Sequence, residues 1–407
     1  MQTEPTQKIK APTGSERAAK VPRLCFNRAE MGGALGDLGV FIPLLVGMVN
    51  RCGLQFAPAL FCAGFMNVIT GLVFGIPLPV QPMKAIAAVA ISEEMNQSQI
   101  LTAGIATGVV LLVLAITGVI DWLNRVIPKS VVRGLQLALG LKLLTKGIGM
   151  VAGTEVMIGW DSIGLGLICV VVVLLLYNSS RIPAALIVCG IGLAAMLAGQ
   201  PSLITEVRPG MTWNMPDLSQ WADWREGILR GAVPQIPLTL LNSVIAVCVL
   251  SMDLFPKRPA APRRMALSVA LMNLICCPVG GMPLCHGSGG LAAQYRFGAR
   301  SGGSMVMLGI AKMALAVSFG SSLLVWLQQY PESALGVLLL FSGLELAMVC
   351  RDQNARAGFF TMIVTTGVSL AVNTAVGFVV GWVVATSLAR SIFRVELPPN
   401  RVDKSGS

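Results

Sequence analysis

The sequence predicts an all-α polytopic membrane protein, and three observations lead to this fold class. The 407 residues are 55% hydrophobic and only 12% charged, with a mean hydropathy of +0.75, whereas soluble domains carry about 25% charged residues. The apolar residues gather in runs near the ~20 that a membrane helix needs, and short stretches between them hold nearly all the charge. Two runs are broken by Gly and Pro at related positions. A soluble fold is therefore excluded, and we expect one membrane domain with short tails.

The long apolar runs define the membrane segments in chain order. Clear examples are residues 31–49, 100–120, 162–177, 228–252, 305–326 and 368–388. With two short elements added, the count reaches fourteen segments. The first thirty residues are basic but lack an apolar core that ends in a cleavage site, so we expect a cytoplasmic tail there rather than a signal peptide.

Basic residues in the loops predict the orientation. If the N-terminal tail is cytoplasmic, every basic cluster falls on the same side of the membrane. These clusters are Arg125/Lys129/Arg133, Arg181, Lys257/Arg258/Arg263/Arg264, Arg296/Arg300, Arg351/Arg356 and Arg390/Arg394. The opposite loops hold only Arg51, Arg208 and Arg225 in this reading. The positive-inside rule then places both termini in the cytoplasm.

Charge, cysteine spacing and motifs exclude several functional classes. The net charge of +11 is scattered over loops and tails, which does not favour nucleic-acid binding. The ten cysteines form no CxxC pair, and we expect neither a metal site nor a cofactor. Nucleotide-binding loops and hydrolase motifs are absent, so the sequence supports neither ATP-driven transport by this chain alone nor an enzyme.

An internal repeat relates the two broken segments. The stretch NVITGLVFGIPLPVQP at 67–82 aligns without a gap to NLICCPVGGMPLCHGS at 273–288. The identities are Asn67/Asn273, Gly75/Gly281, Pro77/Pro283 and Leu78/Leu284. In both copies an apolar helix meets a break and then a stretch too short to span, at 82–94 and 288–295. Such paired half-helices are the best sequence indication of a transporter binding site.

The residues after each break predict an anion site. Pro82 suits the first helical position, which would leave the N–H groups of Met83, Lys84 and Ala85 free at the positive end of the helix dipole. If the repeat is inverted, this end meets the start of the second half-helix near the midplane, and two helix N-termini attract an anion.

The second break has little side-chain bulk. Gly287, Gly289 and Gly290 let a ligand approach the backbone, and Ser288 adds a neutral donor. The single histidine, His286, is either a proton-linked donor or a neutral, structurally bonded imidazole.

Three charged residues lie at membrane depth, where charges are costly and usually functional. Lys84 either attracts substrate or snorkels to water or pairs with a carboxylate. Asp37 in GALGDLGVFIP is a candidate proton carrier, because a carboxylate beside an anion repels it unless protonated. Glu345 in FSGLELAMV is a second candidate. Either acid is alternatively a paired structural group.

Uncharged polar residues mark the segment that the repeat equates with the first helix. Gln235, Thr239 and Asn242 lie on one face, at i, i+4 and i+7, followed by Ser243. They either line the binding site or form hydrogen bonds between helices.

Four segments resemble the molybdate transporter family, a branch of the sulfate permease (SulP) superfamily. They are GDLGVFIPL at 36–44, PLPVQPMKAIAAVAIS at 77–92, PQIPLTLLNSVIAV at 234–247 and MPLCHGSGGLAAQYRFGARSGGS at 282–304. The wider superfamily usually ends in a STAS domain, and here only 390–407 follows the last helix, which favours the molybdate branch.

The resemblance implies seven plus seven inverted segments, a core domain with two half-helices, a gate domain, elevator-like movement and a homodimer. It implies this organisation: a cytoplasmic tail at 1–29, a first repeat at 30–198, an extracytoplasmic loop at 199–227, a second repeat at 228–389 and a cytoplasmic tail at 390–407. It also carries substrate binding onto motif positions, namely Gln81, Pro82, Met83, Lys84, His286, Gly287, Ser288, Gly289 and Gly290, and less directly onto Asp37 and Gln235.

The function expected is secondary active import of molybdate across the cell (inner) membrane, with sulfate or tungstate as alternative oxyanions. A nucleobase permease is a second hypothesis, but it needs a carboxylate near the breaks, and neither break contains one. A membrane enzyme or receptor is a third, but the best catalytic set, His286 with Ser288, lacks a third partner.

Overall fold

The computed structural model describes residues 23–120, 127–177, 184–205 and 209–390. In these ranges fourteen helices of nine residues or more follow one another, together with two short strands. The helices are α1 (Arg28–Cys52), α2 (Phe56–Phe74), α3 (Lys84–Glu93), α4 (Gln97–Thr117), α5 (Lys129–Ala152), α6 (Ile163–Leu176), α7 (Ala184–Gly199), α8 (Trp221–Leu254), α9 (Pro262–Cys276), α10 (Ser288–Arg296), α11 (Gly303–Gln328), α12 (Glu332–Met348), α13 (Arg356–Ala371) and α14 (Thr374–Ala389). The strands are β1 (Gln81–Pro82) and β2 (Leu284–Cys285).

Helix ends follow local sequence signals. The side chain of Asn27 accepts a hydrogen bond at the start of α1, and Asn96 with Gln99 forms a capping box at the start of α4. Gly53 and Gly75 end α1 and α2 in the left-handed conformation, with φ of 65° and 64°. These signals stop each helix and turn the chain back into the bundle.

Seven helices in the described ranges are long and apolar enough to cross a membrane, and four shorter helices are also apolar. In contrast, α3 and α10 have 10 and 9 residues, or about 15 Å of helix against a hydrocarbon core of about 30 Å. They are the two half-helices that the sequence predicts.

Helix packing follows an inverted repeat of α1–α7 and α8–α14. α2 packs along α11 just as α9 packs along α4, and α1 contacts α10 just as α8 contacts α3. When α1–α7 are matched in order to α8–α14, the α2–α11 contact corresponds to the α9–α4 contact, and the α1–α10 contact corresponds to the α8–α3 contact. β1 and β2 pair antiparallel, so α3 and α10, which follow them, leave the pairing in opposite directions. The repeat is therefore inverted.

The helices form two groups by their most extensive contacts. The core bundle contains α1–α4 and α8–α11, and the gate bundle contains α5–α7 and α12–α14. In each bundle, glycines bring one long helix pair close. A Cβ on Gly64 would lie 2.6 Å from the Gly309 carbonyl oxygen in the core bundle, and a Cβ on Gly140 would lie 2.6 Å from that of Gly343 in the gate bundle. Such contacts are typical of membrane helix packing.

Helix α8 begins at Trp221, inside the 199–227 stretch that the sequence assigns to a loop, and it runs on through π-helical turns at Gly227–Ala232 and Thr239–Ala246. Of the expected tails at 1–29 and 390–407, residues 1–22 and 391–407 lie outside the described residues, as do Arg125, Arg181, Arg208 and Arg394, while α1 already begins at Arg28.

Candidate functional site

The two broken segments cross at the middle of the core bundle. Gln81 pairs with Cys285 and Pro82 with Leu284, and all four residues are buried. Asn273, at the end of α9, stabilises the second break, because its side chain accepts from the Leu284 N–H at 2.9 Å and donates to the Leu284 carbonyl at 2.7 Å. The half-helix N-termini therefore lie on either side of a two-strand crossing.

The start of α3 is already capped by protein groups. The Gln235 side-chain oxygen accepts from the N–H groups of Ala85 and Ile86 at 2.9 and 3.3 Å. The Met83 N–H donates to the Pro283 carbonyl at 2.9 Å. The prediction of free N–H groups at Met83 and Ala85 is therefore wrong, because a side chain of α8 and the second break supply the acceptors.

The prediction that Pro82 is the first residue of the half-helix is also wrong. Pro82 lies in β1, Met83 is the N-cap with extended backbone, and α3 begins at Lys84. The crossing with β2 holds Gln81–Pro82 in an extended conformation, and helical geometry can start only beyond it.

The start of α10 is more open. Leu291 donates the first helical hydrogen bond, to the Gly287 carbonyl, so the N–H groups of Ser288, Gly289 and Gly290 have no acceptor within the helix. A Cβ on Gly289 would meet nothing within 4 Å. Gly289 is exposed, so the first turn of this half-helix and the positive end of its dipole border accessible space at that residue.

Gln81 occupies the position between the two half-helices. Its side chain is fully buried, and neither its oxygen nor its nitrogen has a hydrogen-bond partner among the described residues. It lies against α10, because Cβ atoms on Gly287 and Gly290 would each come within 2.5 Å of its amide. A buried amide without partners is costly, which indicates that a ligand or water belongs there.

A cavity of about 330 Å³ leads to the start of α10. Ser288 and Asn242 are among its lining residues, and the Ser288 hydroxyl donates to the Asn242 side-chain oxygen at 2.8 Å. Lys129, Arg133 and Asp253 also line it. The cavity is bounded by α5 and α8, and so by both bundles.

His286 and Gln235 serve the framework of the site. The His286 Nδ1 donates to the Pro79 carbonyl at 2.8 Å, which leaves Nε2 to accept from the Ser268 hydroxyl at 2.9 Å. The geometry thus matches the structurally bonded imidazole of the two alternatives. Gln235 donates to Thr239 at 2.8 Å and caps α3, which matches the alternative of hydrogen bonds between helices.

Lys84 is the first residue of α3 and is half-buried. Its ammonium group lies within electrostatic range of Asp37 and Glu345. Glu345 is exposed on α12, in the gate bundle, beside Tyr177. At its N-terminal end, α3 therefore carries a positive charge near the boundary between core and gate.

Asp37 is fully buried on α1 and has a partner that sequence reasoning missed. The Lys312 Nζ on α11 lies 3.4 Å from Asp37 Oδ2 and 3.0 Å from the side-chain oxygen of Asn67, over the ring of Phe41 at 3.5 Å. The signal was a single lysine, in GIAKMAL, inside an otherwise apolar run. Sequence alone could not show that it meets Asp37.

Comparison with known proteins identifies the family. The family description "Molybdate transporter of MFS superfamily" matches residues 29–143 and 227–346. Molybdate transporter 2 of Arabidopsis thaliana is 41% identical over 385 residues, covering 84% of this chain and 83% of its own. Molybdate transporter 1 of the same plant is 39% identical, with 84% of each chain covered. Molybdate transporter 1 of Chlamydomonas reinhardtii is 33% identical, covering 84% of this chain and 88% of its own.

Solved structures share the fold at low sequence identity. The murine Solute Carrier 26 family member A9 anion transporter matches with a TM-score of 0.66 and 14% identity, over 91% of this chain and 69% of its own. Another structure of SLC26A9 has the same score and identity, and there this chain covers 66% of the solved chain, just under two thirds. The transmembrane domain of the cyanobacterial bicarbonate transporter BicA matches with a TM-score of 0.61 and 12% identity, over 88% of this chain and 96% of its own.

The solved structures confirm the predicted all-α membrane fold of inverted repeats. The names of the curated relatives show that the chain is a membrane transporter and not an enzyme. The match to the family and the identity with relatives over most of their length lead to one conclusion: the chain belongs to the molybdate transporter family.

Proposed function

We propose that this anion transporter moves molybdate by secondary active transport and binds it at the start of α10. The observation that carries the proposal is a cavity lined by Ser288, the first of three residues whose N–H groups have no acceptor in their helix. The names of the plant and algal relatives support molybdate as the substrate. Sulfate and tungstate are tetrahedral dianions of the same chemistry.

The binding site is made mainly of neutral donors. The dipole and N–H groups of α10 attract the oxyanion, the Ser288 hydroxyl turns from Asn242 to donate to it, and the amide nitrogen of Gln81 gains its missing acceptor. Lys84 adds one positive charge at the edge of the site. A site with few fixed cations holds a dianion firmly enough to select it and loosely enough to release it.

We propose that the cavity opens to the cytoplasm. Lys129 and Arg133 line it, and the positive-inside rule places such residues on the cytoplasmic side. The conformation is then inward-facing, with both termini cytoplasmic and the chain in the cell membrane. Elevator-like movement of the core bundle against the gate bundle, and a homodimer, stay predictions from the family resemblance.

A nucleobase permease is the second candidate, and one observation bears on it. Neither break contains a carboxylate, but Asp37 of α1 approaches Gln81 at the crossing. That carboxylate is paired with Lys312, so it is not free to bind ring N–H groups. The geometry therefore favours the oxyanion.

Calorimetry on the purified protein tests the proposal with molybdate, sulfate and uracil as ligands. We expect molybdate to bind, and Ser288→Ala to weaken binding about tenfold or more, because a hydrogen bond to a charged group is worth ~1.5–3 kcal/mol. Lys84→Ala should also weaken it. Ser304→Ala, which removes a buried hydroxyl bonded to the Ser301 carbonyl, is the matched control and should bind normally. Binding of uracil alone, or oxyanion binding indifferent to Ser288→Ala, contradicts the proposed site.

A further inference from the structure

Asp37 and Lys312 form a buried ion pair behind the half-helix crossing. Their side chains are 0% and 3% exposed. Asp37 comes from α1 and Lys312 from α11, so the pair joins the two repeats inside the core bundle. Two charges in such a place cost several kcal/mol each to bury, and neither is needed to cap a helix or to close a loop.

The aspartate is poorly satisfied. Its Oδ1 atom has no hydrogen-bond partner among the described residues, and its Oδ2 lies 3.4 Å from the lysine, longer than the ~2.7–2.9 Å of a good charged hydrogen bond. The Gln81 amide lies near enough to the Asp37 carboxylate to interact with it by hydrogen bonding, but the two groups do not meet in good hydrogen-bond geometry. Asp37 therefore has an unused oxygen beside the proposed anion site.

The lysine is held independently of the aspartate. It donates to Asn67 at 3.0 Å, its shortest hydrogen bond, and lies 3.5 Å from the centre of the Phe41 ring, a favourable place for a cation. If Asp37 becomes neutral, Lys312 keeps these two contacts, and a bound dianion supplies the negative charge that Asp37 no longer provides.

The charges around Asp37 do not balance when a dianion is bound. Lys312 from α11, Lys84 from α3 and the Cys285 thiol of β2 face the carboxylate, and Glu345 of the gate bundle faces Lys84. Two lysines and one ionised aspartate leave one positive charge against two negative charges on molybdate. Glu345 is exposed, so water screens its charge. One proton on Asp37 makes the buried set neutral.

We propose that Asp37 and Lys312 form a charge-compensating dyad that takes up one proton, on Asp37 Oδ1, for each oxyanion bound. The inference rests on the proposed function and adds Lys312 to it. The proton comes from the buffer acid in the surrounding solution, which is left as its conjugate base, and forms an O–H bond on Asp37. Lys312 is then the uncompensated cation that attracts the anion. Because linkage is reciprocal, the anion favours the proton and the proton favours the anion.

The sign of the pH dependence follows from this linkage. Binding that takes up a proton strengthens as pH falls, by up to about tenfold per pH unit for one proton. Affinity stops rising once Asp37 is protonated in the free protein as well.

Calorimetry in two buffers of different ionisation enthalpy, at one pH, counts the protons taken up per molybdate. We expect the unaltered protein to take up about one. Asp37→Asn, which resembles the neutral aspartic acid, should bind molybdate without proton uptake and with an affinity independent of pH. Lys312→Met should weaken binding about tenfold or more, and the double variant should bind as weakly and also without proton uptake. Asp161→Asn, a carboxylate that accepts hydrogen bonds at the start of α12, is the control and should keep the proton count.

The outcomes separate the dyad from the function and from a structural role. Molybdate binding without proton uptake in the unaltered protein overturns the dyad but not the transporter. A purely structural pair would lower the melting temperature in Asp37→Asn while the proton count stayed near one, which also overturns the dyad. If no oxyanion binds to the unaltered protein at any pH, the proposed function itself fails.

Discussion

Gly289 and Gly290 are neighbours at the start of α10, but a methyl group added to them would meet different surroundings. On Gly290 it would lie 2.5 Å from the Gln81 amide and 2.9 Å from Pro79. On Gly289 it would enter open space. Gly290→Ala should therefore destabilise the protein by about 1–3 kcal/mol through overpacking, and thermal melting of the purified variants measures this.

Gly289→Ala is the matched variant for the same experiment. Alanine gains up to ~1 kcal/mol in helix preference over glycine, so the melting temperature should stay the same or rise. Molybdate binding should nevertheless weaken, because the added methyl group occupies the space that the oxyanion is proposed to fill. Normal binding by a well-folded Gly289→Ala variant would place the anion elsewhere.

Some site residues could be identified from the sequence, but their contacts could not. Asp37 and Lys84 stood out because charges are rare in apolar segments. Lys312 is likewise a charge in an apolar segment, but it does not lie near either break in the sequence. Its partner Asp37 is 275 residues away along the chain. Gln81 was a candidate site residue only because it belongs to a family motif. That both atoms of its side-chain amide lack hydrogen-bond partners depends on the position of α10, which the sequence does not give. Contacts of this range require the fold.

At the level of elements, Gln235 makes the two half-helices unequal. Its side chain on α8 caps α3, whereas the N–H groups at the start of α10 have no acceptor within their helix. Only one of the two N-termini is therefore available to an anion in this conformation. A pair of substitutions at Gln235 separates the capping role from the charge of the site.

Gln235→Leu should destabilise the protein by about 1–3 kcal/mol for each N–H left buried without an acceptor, at Ala85 and Ile86. Gln235→Glu keeps an acceptor, and its negative charge is favourable at a helix N-terminus, so stability should largely return. The same charge should abolish molybdate binding by repulsion. Melting curves and calorimetry on both variants measure the two effects. Equal stability of the two variants would show that the cap is unimportant.

The elements themselves were largely predictable. Their lengths, the two breaks and the half-helices follow from runs of apolar residues and from Gly and Pro, which act locally. The starting residue of α3 was not predictable, because it depends on the pairing of β1 with β2, which keeps Gln81 and Pro82 extended. The gapless alignment of the two breaks does not reveal that pairing. That crossing depends on bonds such as Met83 to Pro283, which join distant segments.

At the level of the whole molecule, the two ends of the boundary between core and gate differ. At one end lies the cavity that reaches Ser288. At the other, three ion pairs join the bundles: Arg51 to Glu332 at 2.9 Å, Glu93 to Lys142 at 2.6 Å and Glu94 to Lys146 at 2.8 Å. Partly exposed pairs are worth ~0.2–1 kcal/mol each, so three of them bias a two-state equilibrium by about three- to a hundredfold.

If the ion pairs hold this end closed, Glu93→Gln should open it, because Glu93 bonds Lys142 of the gate as well as Arg230 of the core. Cys52 is a native reporter: it is 8% exposed and lies within electrostatic range of Glu94 and Lys146. Its labelling by a membrane-impermeant maleimide, quantified by peptide mass spectrometry, should rise several-fold.

Asp352→Asn is the control for that labelling experiment, because it breaks a 2.6 Å ion pair with Arg133 that lies within the gate bundle. It removes the same kind of charge from an ion pair that does not cross between the bundles, so Cys52 should react as in the unaltered protein. Equal labelling in Glu93→Gln and Asp352→Asn would mean that packing along α1 and α12, rather than charge, keeps this end closed. Faster labelling in Glu93→Gln alone would identify the ion pairs as the contacts that must break before the core bundle can move.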